Sequence, residues 1–408
     1  MRIFFIFSSF LCGAAVNAAD YENHVNVNGP GGAYVVGSGE TKVVAENCTY
    51  DNLYSVAEGG AIYMGANAKL ELQGNHTFSN NAQWAHEEGM GIWYGFFNDI
   101  YLSGGATLTL NPVAESDVIS LGGGLYSEEN TSTSVVKRGD GKVIFGSLSD
   151  NSGMYTNLTV EAGTVEMRSI VNTTSVRVAD GASVFVDSLN EEEVISLFVG
   201  TTSGEGVVFS SNRTGITLRG VEVSADGVSA VGAEKGSISG ADVGIYSESA
   251  VTVNNVSFVD SAIWADSAIT LSNVSLDADS SVGAKVEAIL SGDNYMELNS
   301  LTSTQLQGVT LADGSTLTLT LSEDLLSGAG EDFSIILQDL SLAEDAVVTL
   351  NVKMSDGATS SVTMFGYTQE SGGVKIEMRG DATVPEPTSA TLSLLALAVI
   401  SARRRRSA

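Results

Sequence analysis

The sequence predicts an all-β fold: a parallel β-helix, or solenoid, closed by a C-terminal β cap or small β-sandwich and followed by an apolar C-terminal helix. Three observations predict it. Apolar and polar residues alternate with period two, as in Lys69-Leu70-Glu71-Leu72 and Ser315-Thr316-Leu317-Thr318-Leu319-Thr320-Leu321. Turn signals punctuate the alternation at Ala179-Asp180-Gly181, Ala225-Asp226-Gly227, Ala312-Asp313-Gly314 and Ser355-Asp356-Gly357. Residues 245–258, from Ile245-Tyr246 to Phe258, also repeat as residues 263–276, from Ile263-Trp264 to Leu276, with apolar positions on apolar positions. Such short internal repeats bury their inward faces only against their neighbours, which is the construction of stacked coils.

Composition narrows the function classes. The 408 residues carry 49 acidic and 19 basic side chains, a formal charge of −30. A polyanion of this kind repels nucleic acid and anionic membrane surfaces, so no nucleic-acid partner is expected. The 43% apolar content excludes a disordered chain.

The first element, residues 1–18, reads as a signal peptide. Arg2 precedes an apolar run from Ile3 to about Ala15, and the small residues around Ala18 fit a cleavage site there. The run is short for a spanning helix, which needs ~20 apolar residues. Cys12 leaves with this segment, and Cys48 then has no partner for an internal disulfide; it reads as a buried small hydrophobe.

Residues 19–190 form the first solenoid section. Gly59-Gly60-Ala61-Ile62-Tyr63 is followed by Phe78-Ser79-Asn80-Asn81, and Gly122-Gly123-Gly124-Leu125-Tyr126 repeats the first motif. Further on come Lys137-Arg138-Gly139-Asp140-Gly141-Lys142 and Asn157-Leu158-Thr159-Val160-Glu161-Ala162-Gly163-Thr164-Val165. The first set resembles the Gly-Gly-Ala-Ile and Phe-x-x-Asn repeats of polymorphic outer-membrane and autotransporter passenger β-helices. The second is similar to the passenger-associated transport repeat, departing from it at Leu158. The resemblance implies a passenger-like body, but the chain beyond it is too short for the membrane barrel that follows an autotransporter passenger.

Residues 191–308 form a second solenoid section containing the repeat. Asn255 and Asn273 fall in register, and Asn tolerates the left-handed backbone of a coil corner, so the two are expected to form a ladder of stacked side-chain amides at successive corners. Residues 309–384 hold five or six strand candidates and no Gly-Gly-Ala-Ile motif. They read as a cap or small sandwich protecting an open solenoid end.

The last segment, residues 385–408, is a break in pattern. Val384-Pro385-Glu386-Pro387 precedes an apolar stretch from Ala390 to Ala402 and then Arg403, Arg404, Arg405 and Arg406. The apolar stretch is a marginal membrane span, and the four Arg would anchor it on the cytoplasmic side. This order of parts resembles the PEP-CTERM, or VPEP, sorting signal of Gram-negative bacteria. The resemblance implies recognition by the membrane enzyme exosortase, transient or stable inner-membrane association through the helix, and delivery to the cell surface, outer membrane or extracellular matrix. Loss of both ends removes five Arg and Glu386, leaving 14 basic against 48 acidic residues and a charge of −34.

Signatures of catalysis are missing. The chain contains no zinc-protease, nucleophile-elbow, Walker or dinucleotide motif, and its three His, His24, His76 and His86, have no triad spacing. Carboxylate pairs such as Glu87 with Asp99 or Asp260 with Asp266 are expected by chance among so many acids. No catalytic, cofactor or metal residue is assigned. Asp277-Ala278-Asp279 starts like a calcium loop, but Val282 and Ala288 occupy the positions where an EF-hand needs Gly and Glu. Only weak surface association with Ca2+ is expected. Eight Asn-x-Ser/Thr sequons follow from composition.

The one aromatic cluster is Trp84-Ala85-His86-Glu87-Glu88-Gly89-Met90-Gly91-Ile92-Trp93-Tyr94. Trp84, His86, Trp93 and Tyr94 are candidates for a sugar-stacking platform, against the commoner use of aromatics as core. The expected function is therefore an exported, non-enzymatic, adhesin-like surface or matrix protein whose partners include exopolysaccharide or host glycans. The alternative is a β-helix polysaccharide lyase or glycoside hydrolase.

Overall fold

A computed structural model describes residues 19–378, apart from 23–24, 27–29, 57, 88–91, 128–131, 147–155, 169–170, 188–194, 201–205, 212–214, 226, 328–333, 354–358 and 363–364. The signal segment with Ala18, the motif Val384 to Pro387, the apolar stretch and Arg403 to Arg406 lie outside the described residues, as does His24. Among the described residues the protein is nearly all strand, with a single short helix at Glu323–Ser327. No helix among them is long and apolar enough to cross a membrane.

The first part of the chain lays its strands into parallel ladders. One runs Thr41–Val44, Lys69–Gln73, Thr107–Asn111, Thr133–Lys137, Thr156–Val160 and Ser175–Val178. A second runs Ala19–Glu22, Cys48–Asp51, His76–Ser79, Val118–Leu121, Lys142–Phe145, Thr164–Arg168 and Ser183–Asp187. A third runs Tyr34–Val36, Ile62–Met64, Ile100–Leu102 and Leu125–Ser127. A shorter one pairs Val25–Asn26, Tyr54–Ser55 and Ala82–Glu87 in parallel and ends in an antiparallel hairpin to Ile92–Phe97.

Period-two alternation becomes inward and outward rows across these ladders. Leu70, Leu108, Val135, Leu158 and Val176 are paired in sequence and all buried. Tyr50, Phe78, Leu121, Phe145, Met167 and Val186 form another buried row. Its first two rings stack at 4.2 Å between centroids. Burial of each such side chain contributes about 1.5–3 kcal/mol, so stability is spread along the stack. Cys48 and His76 are neighbours in the row that continues to Ile119, Val143 and Val165. Both are buried, so Cys48 is a core residue and His76 is a core histidine with its Nε2 2.9 Å from the Gln73 carbonyl.

Between residues 195 and 247 the chain doubles back. Ile195–Val199 turns into Val207–Ser211 as an antiparallel hairpin. Ile216–Arg219 then lies antiparallel on Ser183–Asp187, and Val221–Ser224 antiparallel on Ser175–Val178. The chain has retraced the ladders in reverse order. A second hairpin, Val221–Ser224 to Gly227–Ala230, restores the first direction. The long strand Gly236–Ser247 covers the reversed layer, antiparallel to both Ile216–Arg219 and Val207–Ser211.

Parallel pairing then resumes in the register of the sequence repeat. Ile245 pairs with Ile263, Tyr246 with Trp264, Val251 with Ile269, Val253 with Leu271 and Phe258 with Leu276. Asn255 and Asn273 both take positive φ, 58° and 56°, at successive corners. Their amides bond to backbone: Asn255 Nδ2 donates to the Glu234 carbonyl at 3.1 Å, and Asn273 Oδ1 accepts from the Asp293 N–H at 3.0 Å. Parallel pairing crosses residue 308 without interruption, from Ala288–Val309 to Val309–Leu340, and from Asp293–Thr316 to Thr316–Val347. The last strands turn antiparallel. Thr359–Val362 pairs with Val347–Lys353, and Gly373–Met378 joins Ser334–Gln338 to Phe365–Glu370.

Candidate functional site

The glycine-rich motifs resolve into corner chemistry. Asn81, the last residue of Phe78-Ser79-Asn80-Asn81, is fully buried. Its Oδ1 accepts from the Leu53 N–H at 3.0 Å, and its Nδ2 donates to the Tyr50 carbonyl at 3.1 Å and to Asp99 Oδ1 at 2.8 Å. Asp99 Oδ2 in turn accepts from the N–H groups of Gly123 and Gly124, at 2.7 and 3.1 Å. The two motifs of the first section therefore meet around one carboxyl group. Burial pushes the Asp99 carboxyl up to about 7, opposed by the Asn81 and glycine hydrogen bonds. A carboxyl so displaced resembles a catalytic acid, but this one is enclosed and spent on its own backbone corner.

Lys137 follows the same logic. It occupies a core row between Leu110 and Val160 and is fully buried. Its ammonium donates to the carbonyls of Arg138, Gly139 and Ala162 at 2.9, 2.7 and 2.9 Å. Burial pushes it down to about 8, with Asp140 opposing. All three ammonium protons have acceptors in the turn it closes and in the next layer.

The Asp277 segment is likewise structural. Asp277 accepts the Asp260 N–H through both carboxylate oxygens at 3.1 Å and the Ser280 hydroxyl at 2.6 Å. Among the described residues no group of three or more His, Cys, Asp or Glu is placed to hold a metal.

Of the expected platform, the structure describes only the backbone. Ala82–Glu87 and Ile92–Phe97 pair so that His86 faces Trp93, Ala85 faces Tyr94 and Trp84 faces Gly95. The register brings His86 and Trp93 together across the hairpin and places Tyr94 opposite neither Trp84 nor His86.

Two other aromatic arrays emerge on the ladders. Tyr63, Tyr101 and Tyr126 stack in one file, 5.6 Å apart at each step, though Tyr101 at its centre is buried. The second is more open. Phe198, Val208, Tyr246, Trp264, Gly283 and Gln307 are paired in succession across one outward row. Phe198 is 38% and Trp264 39% exposed, although their neighbours Leu197, Val199, Ile263 and Ala265 are buried.

Trp264 is held in place. A Cβ at residue 283 would lie 2.6 Å from its Cζ3 and 2.8 Å from its Cε3, so this edge of the six-membered ring fits only because residue 283 is glycine. The indole Nε1 points to Asp266 Oδ1 at 3.4 Å. The Tyr246 hydroxyl shares a hydrogen bond with Asp266, and this, with partial burial and the charges of Asp266 and Glu248, raises its pKa. The exposed Gln307 lies beyond Gly283. Glu248, Asp266 and Lys285 each follow the end of a paired strand segment in three successive layers.

The comparisons with known proteins match no family model, no curated protein and no solved structure. The site is therefore read from its own chemistry. The repeat carried its signal, since Tyr246 and Trp264 align between apolar residues that face inward. The contribution of Gly283 was hidden, because it depends on a pairing one layer further along.

Proposed function

We propose that this chain is an exported, non-enzymatic surface or matrix protein, adhesin-like in action, whose body is a parallel β-helix with a β cap over its last coils. The observation that carries the reading is the succession of parallel ladders, which repeats the same outward positions layer after layer. Extended ligands suit such a surface, because many weak contacts along it combine into avidity. The antiparallel strands at residues 359–378 supply the cap, covering the last parallel strands and protecting an open sheet edge. Among the described residues, the two groups displaced furthest from their ordinary pKa values, Asp99 and Lys137, are buried and bonded to backbone, which agrees with a binding role.

Export and sorting rest on the two terminal segments. The signal segment would direct secretion, and Val384 to Pro387 with the Arg403–Arg406 cluster would present the chain to exosortase at the inner membrane. The test is the mass and terminal peptides of the native protein from surface, medium and inner-membrane fractions. Loss of the first 18 residues and of everything beyond Pro387 in the surface fraction is the expected result. Persistence of Arg403–Arg406 solely in the inner membrane would overturn the sorting reading.

A further inference from the structure

We propose that Trp264, with Tyr246, Asp266 and Gln307 around it, forms a binding subsite for a neutral β-linked pyranose chain. The inference deepens the adhesin-like reading and rests on it for its biological setting.

The Cε3–Cζ3 edge of the Trp264 indole occupies the space where a side chain at Gly283 would stand, and the residue is 39% exposed. The Asp266 carboxylate fixes the indole edge. The platform is therefore organised before any ligand arrives, which lowers the entropy cost of binding.

A pyranose with equatorial hydroxyls presents axial C–H groups on its flat faces and hydroxyls at its rim. That pattern matches an apolar ring bordered by polar groups. Asp266 stands on one side with the Tyr246 hydroxyl, and the exposed Gln307 amide stands on the other. Acceptors and donors thus flank the stacking surface, as sugar hydroxyls require.

Charge selects among sugars. Asp266 contacts the indole and acts together with Glu248 on the Tyr246 hydroxyl, while Lys285 follows the paired segment in the next layer. The chain as a whole is at −30. A uronate or sulfated polymer would be repelled, while a neutral chain pays no such penalty. The row also extends the site, because Phe198 lies three strands away on the same side, about 14 Å from Trp264 at ~4.8 Å per strand. Several sugar residues bridge that span.

The experiment uses the purified full chain with cellohexaose as probe and hexagalacturonate as comparator, read by calorimetry and by tryptophan fluorescence. The Trp84→Phe/Trp93→Phe variant leaves Trp264 as the sole reporter among the three tryptophans. Cellohexaose is expected to perturb that emission, and Trp264→Ala is expected to weaken binding at least about tenfold. Gly283→Ala retains the tryptophan but displaces its ring, and is expected to weaken binding while unchanged circular dichroism reports an intact fold. Failure of cellohexaose to bind, equal binding of hexagalacturonate, or full binding by folded Trp264→Ala would each overturn the proposal. Failure here with a correctly sorted surface protein removes the subsite alone; sugar binding by a chain retained in the inner membrane removes the sorting reading alone.

Discussion

Lys137 and Gly163 interlock across two layers of the ladder. The ammonium of Lys137 reaches over to the carbonyl of Ala162, and a Cβ on residue 163 would lie 2.7 Å from its Nζ. Gly163 also takes a φ of 66°, which side-chain-bearing residues resist. The Lys-x-Gly-x-Gly and Ala-Gly-Thr parts of the second motif set are thus two halves of one contact. Gly163→Ala is expected to lower unfolding stability by at least ~1 kcal/mol. Lys137→Met, which keeps the stem but strands three carbonyls, is expected to cost about 2 kcal/mol or more. Urea titration of both variants checks the pair.

Asp99 predicts a pH dependence of unusual sign for a carboxyl group. In the folded protein it keeps its proton up to about pH 7, whereas an unfolded Asp releases it near pH 4. Between those values the folded state binds more protons, so this group's contribution to stability is full below about pH 4 and is lost as pH rises toward 7. Comparison of wild type with Asp99→Ala should show that component of the slope disappear, alongside a general loss of stability from the broken corner. An identical slope in the variant would refute the assignment.

Asn273 predicts a graded series. Its φ of 56° is left-handed, a conformation that costs an alanine roughly 1–2 kcal/mol. Asn273→Ala should therefore destabilise more than Asn273→Gly, which loses the bond to Asp293 but keeps the backbone. Thermal melts of the two variants order them directly.

The doubled-back layer predicts an excisable segment. The inward rows on either side of it already match: Val176 meets Val223 and then Val228, Val184 meets Leu218 and then Ile238, and Leu197 meets Phe209 and then Ile245. Deletion of residues 200–226 would set Val228 over Val176 in parallel, with apolar residues still facing inward. The expected outcome is a variant with strand-rich circular dichroism and a cooperative unfolding transition. Loss of cooperativity would show that the reversed layer is indispensable.

Much of this architecture was legible in the sequence, for identifiable reasons. Residues 245–258 and 263–276 align in the sequence as they pair in space, because a parallel ladder converts a constant repeat length directly into register. Asn255 and Asn273 betrayed their corners because few residue types tolerate positive φ. Cys48 was recognisable as core from its isolation. The reversal was illegible: Val207–Ser211 and Ile216–Arg219 show the same alternation as their neighbours, and alternation carries no strand direction. Asp99 and Lys137 were hidden for a different reason, since a charged residue in a core row is distinguishable from a surface one only when its backbone partners are in view.

The doubled-back layer also bears on how the chain acquires its shape. Parallel pairing here joins residues 18 to 43 positions apart, so each rung waits for a sizeable loop to close. The reversal contains two short connections: Val199 pairs with Val207 and Ser224 with Gly227. Hairpins of that kind form within about 1–10 μs. They give the middle of the molecule a local nucleus, from which ordering can spread toward both termini and need not wait for either end.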